Sequence, residues 1–288
     1  SHLMTNLFRS LVFVPGNNSR FLEKAKSLTA DIVCFDLEDS VPDKEKTKAR
    51  KLIKNALKQR KLYSTNIYAR TNSPESGKIE SDLKEIMQKG IDGIVIPKVN
   101  SAKELKKIEK TIISLEKKGK ISGTRIIPSI ESALGVVNCY EIASCSKRID
   151  ALVFGIFDLL NDVGIEYTKG NPRGAKYARY KVPVDAAAAG VYAIDGIWQG
   201  IRDESGLKKD CDVGRSLGYA GKSIIHPDQI KTVHKIYHPN QNEIKWAKLV
   251  VKKYNSSTKK GKGATVVNGK MIDEVHYKRA KALLEICK

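Results

Sequence analysis

Eight short apolar runs, each separated from the next by a polar or helical stretch, constrain the fold of this chain more than any other feature. The runs cover residues 10–14, 32–37, 67–69, 93–99, 125–130, 151–157, 192–198 and 222–225. They are too short for helices and too continuous for half-exposed strands, which is typical of parallel strands buried on both faces. Eight such strands alternating with helices predict an α/β fold, a closed (β/α)₈ barrel of the TIM type.

Several stretches between these runs carry apolar residues three and four positions apart, the pattern of amphipathic helices. The predicted helices cover residues 20–28, 47–57, 83–89, 105–115, 136–143 and 229–236. Residues that can cap helices mark their starts: Asn18, Asp43, Ser101, Ser132 and Asp228. The main alternative is an open doubly wound sheet, which usually carries a G-x-G-x-x-G turn after its first strand. This chain has Pro-Gly-Asn-Asn at residues 15–18 instead.

We expect the barrel to occupy residues 4–238 and a C-terminal cap to occupy residues 239–288. In the cap we predict a helix over 243–254, a loop over 256–263, a hairpin arm over 264–267 that turns at Asn268-Gly269, and a helix over 273–286. Residues 1–3 are expected to be a cloning remnant that precedes a native start at Met4.

Charge and composition narrow the possible partners. With 52 Lys and Arg against 32 Asp and Glu, the chain has a formal net charge of +20, which attracts anions. The lysines alternate with acidic and apolar residues at helical spacing, so we expect solvated helix faces rather than a nucleic-acid surface. No apolar run reaches the ~18 residues of a membrane span. The five cysteines form no C-x-x-C pair, so we expect a reduced, cytoplasmic protein. From the charge pattern and the missing membrane span, we expect neither a nucleic-acid nor a membrane partner.

Polar residues close most of the predicted strands, at the end of the barrel where catalytic residues of this fold lie. In chain order these strand-end residues are Glu38, Asp39, Arg70, Lys98, Glu131, Asp158, Trp198 and His226. Glu131 and Asp158 follow neighbouring strands, and two carboxylates so close would repel each other without a cation or a shared proton. Two acids with open coordination positions suit Mg²⁺, so we predict a magnesium site there.

Two other strand-end residues allow more than one interpretation. Arg70 is suited to grip a substrate carboxylate and stabilise an oxyanion, or it forms an ion pair with Glu38 or Asp39, which would then orient it. Lys98 could form a Schiff base, which is the rival mechanism to metal catalysis. That mechanism would leave the two predicted metal ligands without a role.

Ordered motifs along the whole chain give a family resemblance. They are Arg9-Ser-Leu-Val-Phe-Val-Pro-Gly-Asn-Asn, Phe35-Asp-Leu-Glu-Asp-Ser-Val, Ile96-Pro-Lys-Val, Ile130-Glu-Ser-Ala-Leu-Gly-Val-Val-Asn, Phe154-Gly with Asp158-Leu, Ala189-Gly-Val-Tyr-Ala-Ile-Asp-Gly, Lys222-Ser-Ile-Ile-His-Pro and Gly269-Lys-Met-Ile-Asp. With these motifs the chain resembles the citrate lyase β-subunit-like family. That family includes malyl-CoA and citramalyl-CoA lyases, within the class II HpcH/HpaI aldolase group.

The resemblance implies a Mg²⁺-dependent carbon–carbon lyase, usually a homotrimer. Such an enzyme cleaves or forms a 3-hydroxyacyl-CoA, such as malyl-, citramalyl- or citryl-CoA, with acetyl-CoA and an α-keto acid as the products of cleavage. The roles it implies are Mg²⁺ binding for Glu131 and Asp158, substrate contact for Arg70, Glu131, Ile225 and His226, coenzyme A contact for Phe13 and Arg20, and acid/base catalysis for Asp273. Asp273 would come from the C-terminal cap of the same or a neighbouring subunit.

Three alternatives remain open on the sequence. One is a β subunit that acts only within a citrate lyase complex, on an acyl-carrier thioester. The second is a Schiff-base aldolase that uses Lys98, and the third is a basic nucleic-acid binder without catalytic activity. The identity of the keto acid also stays open, because one methyl group changes pocket binding by only ~1–3 kcal/mol.

Overall fold

The computed structural model of the protein describes residues 7–167 and 173–288. The expected cloning remnant and Met4 lie outside the described residues. Eight parallel strands pair in chain order, and the first pairs with the last, so the sheet closes into a barrel. The strands are β1 Ser10–Pro15, β2 Ile32–Asp36, β3 Asn66–Arg70, β4 Gly93–Ile96, β5 Arg125–Ile130, β6 Ala151–Phe154, β7 Tyr192–Asp195 and β8 Gly221–Ile224. The predicted (β/α)₈ fold is confirmed.

The strands are buried on both faces, as their continuous apolar runs predicted. One set of alternate residues packs in a small cluster that includes Leu11, Ile32 and Val95. The other set, which includes Val33 and Phe35, packs in a larger cluster with residues of the helices. Because side chains alternate along a strand, a polar residue two positions after an inward-facing one also points into the barrel.

Ten helices are described in the barrel unit, together with short 3₁₀ turns. They are α1 Ser19–Lys24, α2 Lys46–Lys58, α3 Ile79–Ile86, α4 Ala102–Gly119, α5 Ala133–Val137, α6 Cys139–Ser144, α7 Ile156–Asp162, α8 Lys176–Ala188, α9 Glu204–Ser216 and α10 Ile230–Tyr237. The spacing of apolar residues did not predict α7, α8 or α9. In α8 the apolar pattern is obscured, because Tyr177, Tyr180 and Val184 are exposed and Pro183 lies inside the helix.

Three of the predicted caps are confirmed and two are wrong. Asn18, Ser101 and Ser132 each accept a backbone N–H from the first turn of the helix that follows. Asp43 is the first residue of a 3₁₀ turn and caps nothing. Asp228 lies inside another 3₁₀ turn, which the side chain of His226 caps instead.

A second compact unit comprises His238–Lys288 and Leu7, whereas the barrel unit is Phe8–Tyr237. The second unit contains α11 Gln241–Lys259, β9 Thr265–Val267, β10 Lys270–Ile272 and α12 Glu274–Ile286. Its own core is formed by Ala247, Val250, Val267, Ile272 and Ala280. The predicted hairpin is confirmed: Asn268 and Gly269 form its turn, both with positive φ.

The predicted loop over 256–263 is only partly correct, because α11 continues to Lys259. The hydroxyl of Ser257 is drawn inward and donates a hydrogen bond to the carbonyl of Ala264, 2.9 Å away. Within residues 7–167 and 173–288, no helix has both the length and the apolar character needed to cross a membrane.

Candidate active site

A cleft of about 410 Å³ lies at the carboxyl ends of the barrel strands. Its walls combine carboxylates, a guanidinium and hydroxyls with apolar side chains. They are formed by Phe13, Pro15, Asp36, Asp39, Ser40, Arg70, Ser129, Glu131, Val153, Phe154, Gly155, Ile156, Phe157, Asp158, Ile197, Ser223 and Ile225. This mixture of apolar walls and a few converging polar groups is typical of a small-molecule site.

The two predicted metal ligands line this cleft. Glu131 directly follows β5 and is buried, while Asp158 lies in the first turn of α7, four residues after the end of β6. The backbone of Gly155 packs against the Glu131 side chain so closely that a Cβ atom at 155 would lie 2.2 Å from Glu131 Oε2. The β6–α7 junction therefore holds the two acids on one side of the cleft.

Electrostatics at this pair favour a positive partner. Burial, together with the neighbouring Glu38 and Asp158 carboxylates, raises the pKa of Glu131 to about 8. Burial also raises the pKa of Asp158, although Lys98 opposes that shift. Carboxylates whose charged forms are disfavoured by burial and by each other are stabilised as anions by a cation placed between them.

The donor set fits Mg²⁺ with two protein ligands. Across residues 7–167 and 173–288, no group of three or more His, Cys, Asp or Glu side chains is arranged to hold a metal ion. A site with two carboxylates leaves the remaining octahedral positions to water and substrate oxygens, which is how Mg²⁺ is often bound. Glu131 and Asp158 are the residues that would hold it.

Arg70 ends β3 and lines the cleft, where Asp36 fixes its guanidinium. Arg70 Nε and Nη2 donate to the two carboxylate oxygens of Asp36 at 2.7 and 2.8 Å. The guanidinium carbon also lies 4.3 Å from the ring centroid of Phe13, a cation–π contact. Arg70 is thus held on two sides, and its charge is presented to the cleft without a loss of side-chain freedom on binding.

Asp36 was not singled out on the sequence, although it is the main partner of Arg70. It is fully buried at the end of β2, and it also accepts hydrogen bonds from the hydroxyl of Ser40 and from the backbone N–H groups of Ser40 and Glu38. Burial favours its neutral form, but the charge and hydrogen bonds of Arg70 outweigh burial and lower the pKa of Asp36 to about 2.

Of the two acids expected to orient Arg70, only Glu38 is recorded near it. Glu38 Oε1 lies 3.5 Å from Arg70 Nη1 and has no hydrogen-bond partner among the described residues, while Oε2 accepts from Lys98 Nζ at 3.0 Å. Burial raises the pKa of Glu38 to about 7, although Arg70 opposes the shift. Asp39 is exposed, and its nearest recorded cation is Lys98 at 3.8 Å.

Lys98 is poorly suited to form a Schiff base. Burial would lower the pKa of its amine, but the carboxylates of Glu38, Asp158 and Asp39 outweigh burial and hold that pKa well above its usual range. Imine formation needs a neutral amine, so a lysine among three carboxylates is in the wrong protonation state. The structure disfavours this rival mechanism.

The other predicted site residues lie in different places. Ile225 lines the cleft, as do Phe13 and Ser223. Arg20 is exposed on α1, and His226 accepts the backbone N–H of Asp228 at 3.2 Å as the cap of a 3₁₀ turn. The hydroxyl of Ser223 is buried in the cleft without a hydrogen-bond partner in the described chain, and the sequence analysis missed it.

Asp273 belongs to the second unit, where it is the N-cap of α12. Its Oδ1 atom accepts the backbone N–H of Val275 at 2.9 Å and lies 2.8 Å from His276 Nδ1. These contacts with His276 and Val275 lower the pKa of the Asp273 carboxyl, which is therefore ionised at neutral pH. Its Oδ2 atom takes part in neither contact.

The sequence matches the family described as HpcH/HpaI aldolase/citrate lyase over residues 9–227. The chain belongs to the HpcH/HpaI aldolase/citrate lyase family. It is 36% identical to citrate lyase subunit beta of Leuconostoc mesenteroides subsp. cremoris, over 97% of this chain and 93% of that protein. It is 31% identical to the mitochondrial citramalyl-CoA lyase of Rattus norvegicus, over 96% of this chain and 85% of that protein. The chain is thus a lyase-type enzyme, and the resemblance seen on the sequence is confirmed.

A solved structure of another protein shares this fold. CitE from Mycobacterium tuberculosis, in complex with magnesium, acetoacetate and coenzyme A, aligns with a TM-score of 0.77 at 24% identity. The alignment covers 97% of this chain and 98% of that chain. The part of this chain that matches the family, residues 9–227, contains the cleft and both carboxylates, whereas Asp273 lies beyond it.

Proposed function

We propose that this protein is a Mg²⁺-dependent carbon–carbon lyase that cleaves or forms a 3-hydroxyacyl-CoA, with acetyl-CoA and an α-keto acid on the other side of the equilibrium. The observation that carries the proposal is the pair Glu131 and Asp158, which line one cleft beside Arg70 and both have raised carboxyl pKa values. A family match to lyases that act on thioesters agrees with this chemistry.

Glu131 and Asp158 would hold the cation at the wall of the cleft. When bound, Mg²⁺ would supply positive charge to the carbonyl oxygen and carboxylate of the keto acid, and so favour the oxyanion of the carbon–carbon bond-forming step. Glu131 is already oriented, because its Oε1 accepts the backbone N–H of Lys98 at 2.9 Å.

Arg70 lines the same cleft and would bind substrate oxygens there. Its Nε and Nη2 groups are occupied by Asp36, so the guanidinium cannot rotate freely, and its charge stays aimed at the cleft. In the cleavage direction the substrate hydroxyl loses its proton, its oxygen becomes the carbonyl oxygen of the keto acid, and the electron pair of the broken carbon–carbon bond passes to the acetyl group as its enolate oxyanion. A preorganised cation near that oxygen stabilises the transition state more than the ground state.

Asp273 is the proposed acid/base, from its own or a neighbouring subunit. Because contacts with His276 lower the pKa of its carboxyl, Asp273 is a carboxylate at neutral pH. In the condensation direction it would take a proton from the methyl carbon of the acetyl thioester. In cleavage the proton of the substrate hydroxyl would pass to water, and Asp273, once protonated from water, would give its proton to the enolate carbon.

The substrate assignment follows the names of the relatives. Similar proteins are a citrate lyase subunit beta and a citramalyl-CoA lyase, and the similar CitE structure contains coenzyme A and acetoacetate. Phe13 and Arg20 are the residues we propose for coenzyme A contact, and Ile225 and His226 for the acyl part. We also propose that the protein is a homotrimer, as the family resemblance implies. We propose that it works in the cytoplasm, where its five free cysteines would stay reduced.

A condensation assay tests the proposal. The enzyme is incubated with acetyl-CoA, Mg²⁺ and glyoxylate, pyruvate or oxaloacetate, and the condensed thioester is detected by mass spectrometry. We expect product with at least one keto acid, none after chelation, and a loss of at least about 100-fold in Glu131→Gln and Asp158→Asn. Glu80→Gln on the exposed face of α3 is the control and should keep full activity. Chelator-resistant turnover would contradict the metal assignment.

A second candidate is a β subunit that acts only inside a citrate lyase complex. The 36% identity to a citrate lyase subunit beta, over nearly the whole length of both chains, favours it. Such a subunit would be inactive on free CoA thioesters and active on a thioester carried by a partner acyl-carrier protein. The same assay, run with both kinds of thioester, separates the two candidates.

A further inference from the structure

Lys98, which follows β4, has a backbone conformation that is rare for a residue with a side chain. Its φ is 53°, in the left-handed region. The structure describes two other non-glycine residues with positive φ, and each has a common local role. Lys120 is the C-cap of α4, and Asn268 forms the turn of the hairpin. Lys98 has neither role, and conformations of this kind often occur at functional sites.

The unusual backbone of Lys98 directs a hydrogen bond into the cleft. Its N–H donates to Glu131 Oε1 at 2.9 Å. The next N–H, of Val99, turns the other way and donates to the carbonyl of Ser129 at 3.3 Å. At Lys98 the backbone therefore changes from one acceptor to another: the N–H of Lys98 binds the Glu131 carboxylate, and the next N–H binds a backbone carbonyl of β5.

The ammonium group of Lys98 reaches the same site by a different route. Its Nζ lies 3.0 Å from Glu38 Oε2, 3.7 Å from Asp158 Oδ2 and 3.8 Å from Asp39 Oδ1. Arg70, the cation that lines the cleft, is engaged by Asp36 at 2.7 Å. Lys98 is therefore the cation closest to Asp158 among the recorded ion pairs.

We propose that Lys98 is a positioning residue for the divalent cation, and that its two parts act separately. Its left-handed backbone orients Glu131, and its ammonium holds Asp158 and Glu38 until a divalent cation takes its place at Asp158. This inference rests on the proposed function, because it takes Glu131 and Asp158 as the residues that receive the cation.

The two parts predict opposite effects on cation affinity. The Lys98 ammonium lies beside Asp158 and repels a divalent cation that approaches this carboxylate. A neutral side chain at position 98 should therefore strengthen the binding of the divalent cation by about tenfold. A β-branched residue cannot readily adopt positive φ, so it should turn the N–H away from Glu131 and weaken binding. A purely structural role for Lys98 would lower affinity in every variant.

The experiment measures Mn²⁺ binding to the full chain without substrate, by electron paramagnetic resonance of free Mn²⁺. Both Lys98→Asn and Lys98→Val remove the charge. Asparagine tolerates positive φ, whereas valine disfavours it. The matched controls are Lys120→Asn and Lys120→Val, at a residue with the same φ of 53° on the surface end of α4. Circular dichroism checks that each variant folds. If Lys98→Val does not fold, Lys98→Ala, which tolerates positive φ less well than Asn, replaces it.

We expect Lys98→Asn to bind Mn²⁺ about tenfold more tightly than the wild type, and Lys98→Val to bind at least tenfold more weakly than Lys98→Asn. The Lys120 variants should match the wild type. Unchanged or weaker binding in Lys98→Asn would overturn the role of the ammonium, and equal binding in Lys98→Asn and Lys98→Val would overturn the role of the backbone. A wild type that binds no Mn²⁺ would instead refute the proposed function itself.

Discussion

At the scale of single residues, the buried ion pair between Asp36 and Arg70 fixes the cation that lines the cleft. Asp36 is fully buried and Arg70 is nearly so, and two parallel hydrogen bonds join them. A buried pair of this kind adds little net stability, because desolvation offsets the attraction, but the removal of one partner leaves an uncompensated charge. The pair is therefore best understood as a device that orients Arg70.

Asp36→Asn should lower the free energy of unfolding by about 3–5 kcal/mol, since it removes the bidentate counter-charge of Arg70 and leaves only the more distant Glu38 carboxylate. It should also raise the KM for the keto acid. The control is Asp31→Asn, which breaks a similar bidentate pair with Arg9 at the opposite end of the strands. Urea denaturation and steady-state kinetics measure both effects. The account fails if both variants raise KM equally.

The raised pKa values of Glu131 and Glu38 predict how stability depends on pH. In the folded protein these pKa values are about 8 and about 7, against 4.5 ordinarily, so the fold favours the protonated forms. Their contribution to stability is complete below about pH 4.5 and is lost as the pH rises through 7 to 8. The loss is on the order of a few kcal/mol.

Thermal denaturation of the cation-free protein between pH 5 and pH 8 tests this dependence. We expect the Tm of the wild type to fall by several degrees more than the Tm of Glu131→Gln, whose side chain cannot ionise. Saturating Mg²⁺ at pH 8 should restore most of the difference. Parallel curves for the two proteins would show that Glu131 does not titrate in this range.

Much of the site could be predicted residue by residue, and the exceptions have a clear cause. Glu131, Asp158 and Arg70 end or follow strands, so a search of strand ends found them. Asp36 was missed because the predicted strand ran one residue too far, to Leu37. Because side chains alternate along a strand, Asp36 points into the barrel like Cys34 and Ile32, two and four positions earlier. Ser223 pairs with the inward-facing Leu11 and points the same way.

At the scale of elements, the junctions between strands and helices decide what reaches the cleft. The sequence pattern predicted one strand over 151–157, but the strand ends at Phe154 and α7 begins at Ile156. A short apolar run cannot distinguish a buried strand from the first turn of a buried helix. Because of this early turn, Asp158 enters the cleft from the first turn of a helix.

Gly155 at this junction should be intolerant of any side chain. Its φ of −110° is allowed for every residue, so an effect of Gly155→Ala would come from the contact of the new Cβ with Glu131 Oε2, 2.2 Å away. We expect Mn²⁺ affinity to fall at least tenfold. Gly119→Ala, near the end of α4, is the control, because the nearest atom to its new Cβ lies at 3.6 Å. Equal affinities would contradict the packing argument.

At the scale of the whole molecule, the eightfold alternation predicted the architecture well, because it requires only that strands be buried on both faces. The helices were harder to predict. In α8, exposed tyrosines and an internal proline remove the contrast between faces, and in α9 only Leu207, Cys211 and Gly214 are buried.

The net charge of +20 predicts that ionic strength affects the capture of an anionic substrate. Long-range attraction speeds the encounter with a CoA thioester and is screened beyond ~10 Å at 0.1 M salt. Between about 0.02 and 0.5 M salt, over which the Debye length shortens roughly fivefold, kcat/KM should fall several-fold while kcat changes little. Stopped-flow and steady-state kinetics in NaCl measure this. A drop confined to kcat would indicate an effect on the chemistry instead.

The position of the divalent cation tests the central claim most directly. Crystals of the full chain soaked in Mn²⁺ would be measured at the manganese absorption edge, and the anomalous difference map would locate the metal. We predict one strong peak in the cleft, within ~2–2.5 Å of carboxylate oxygens of both Glu131 and Asp158. A peak bound to neither acid, or no peak in the cleft, would contradict the account.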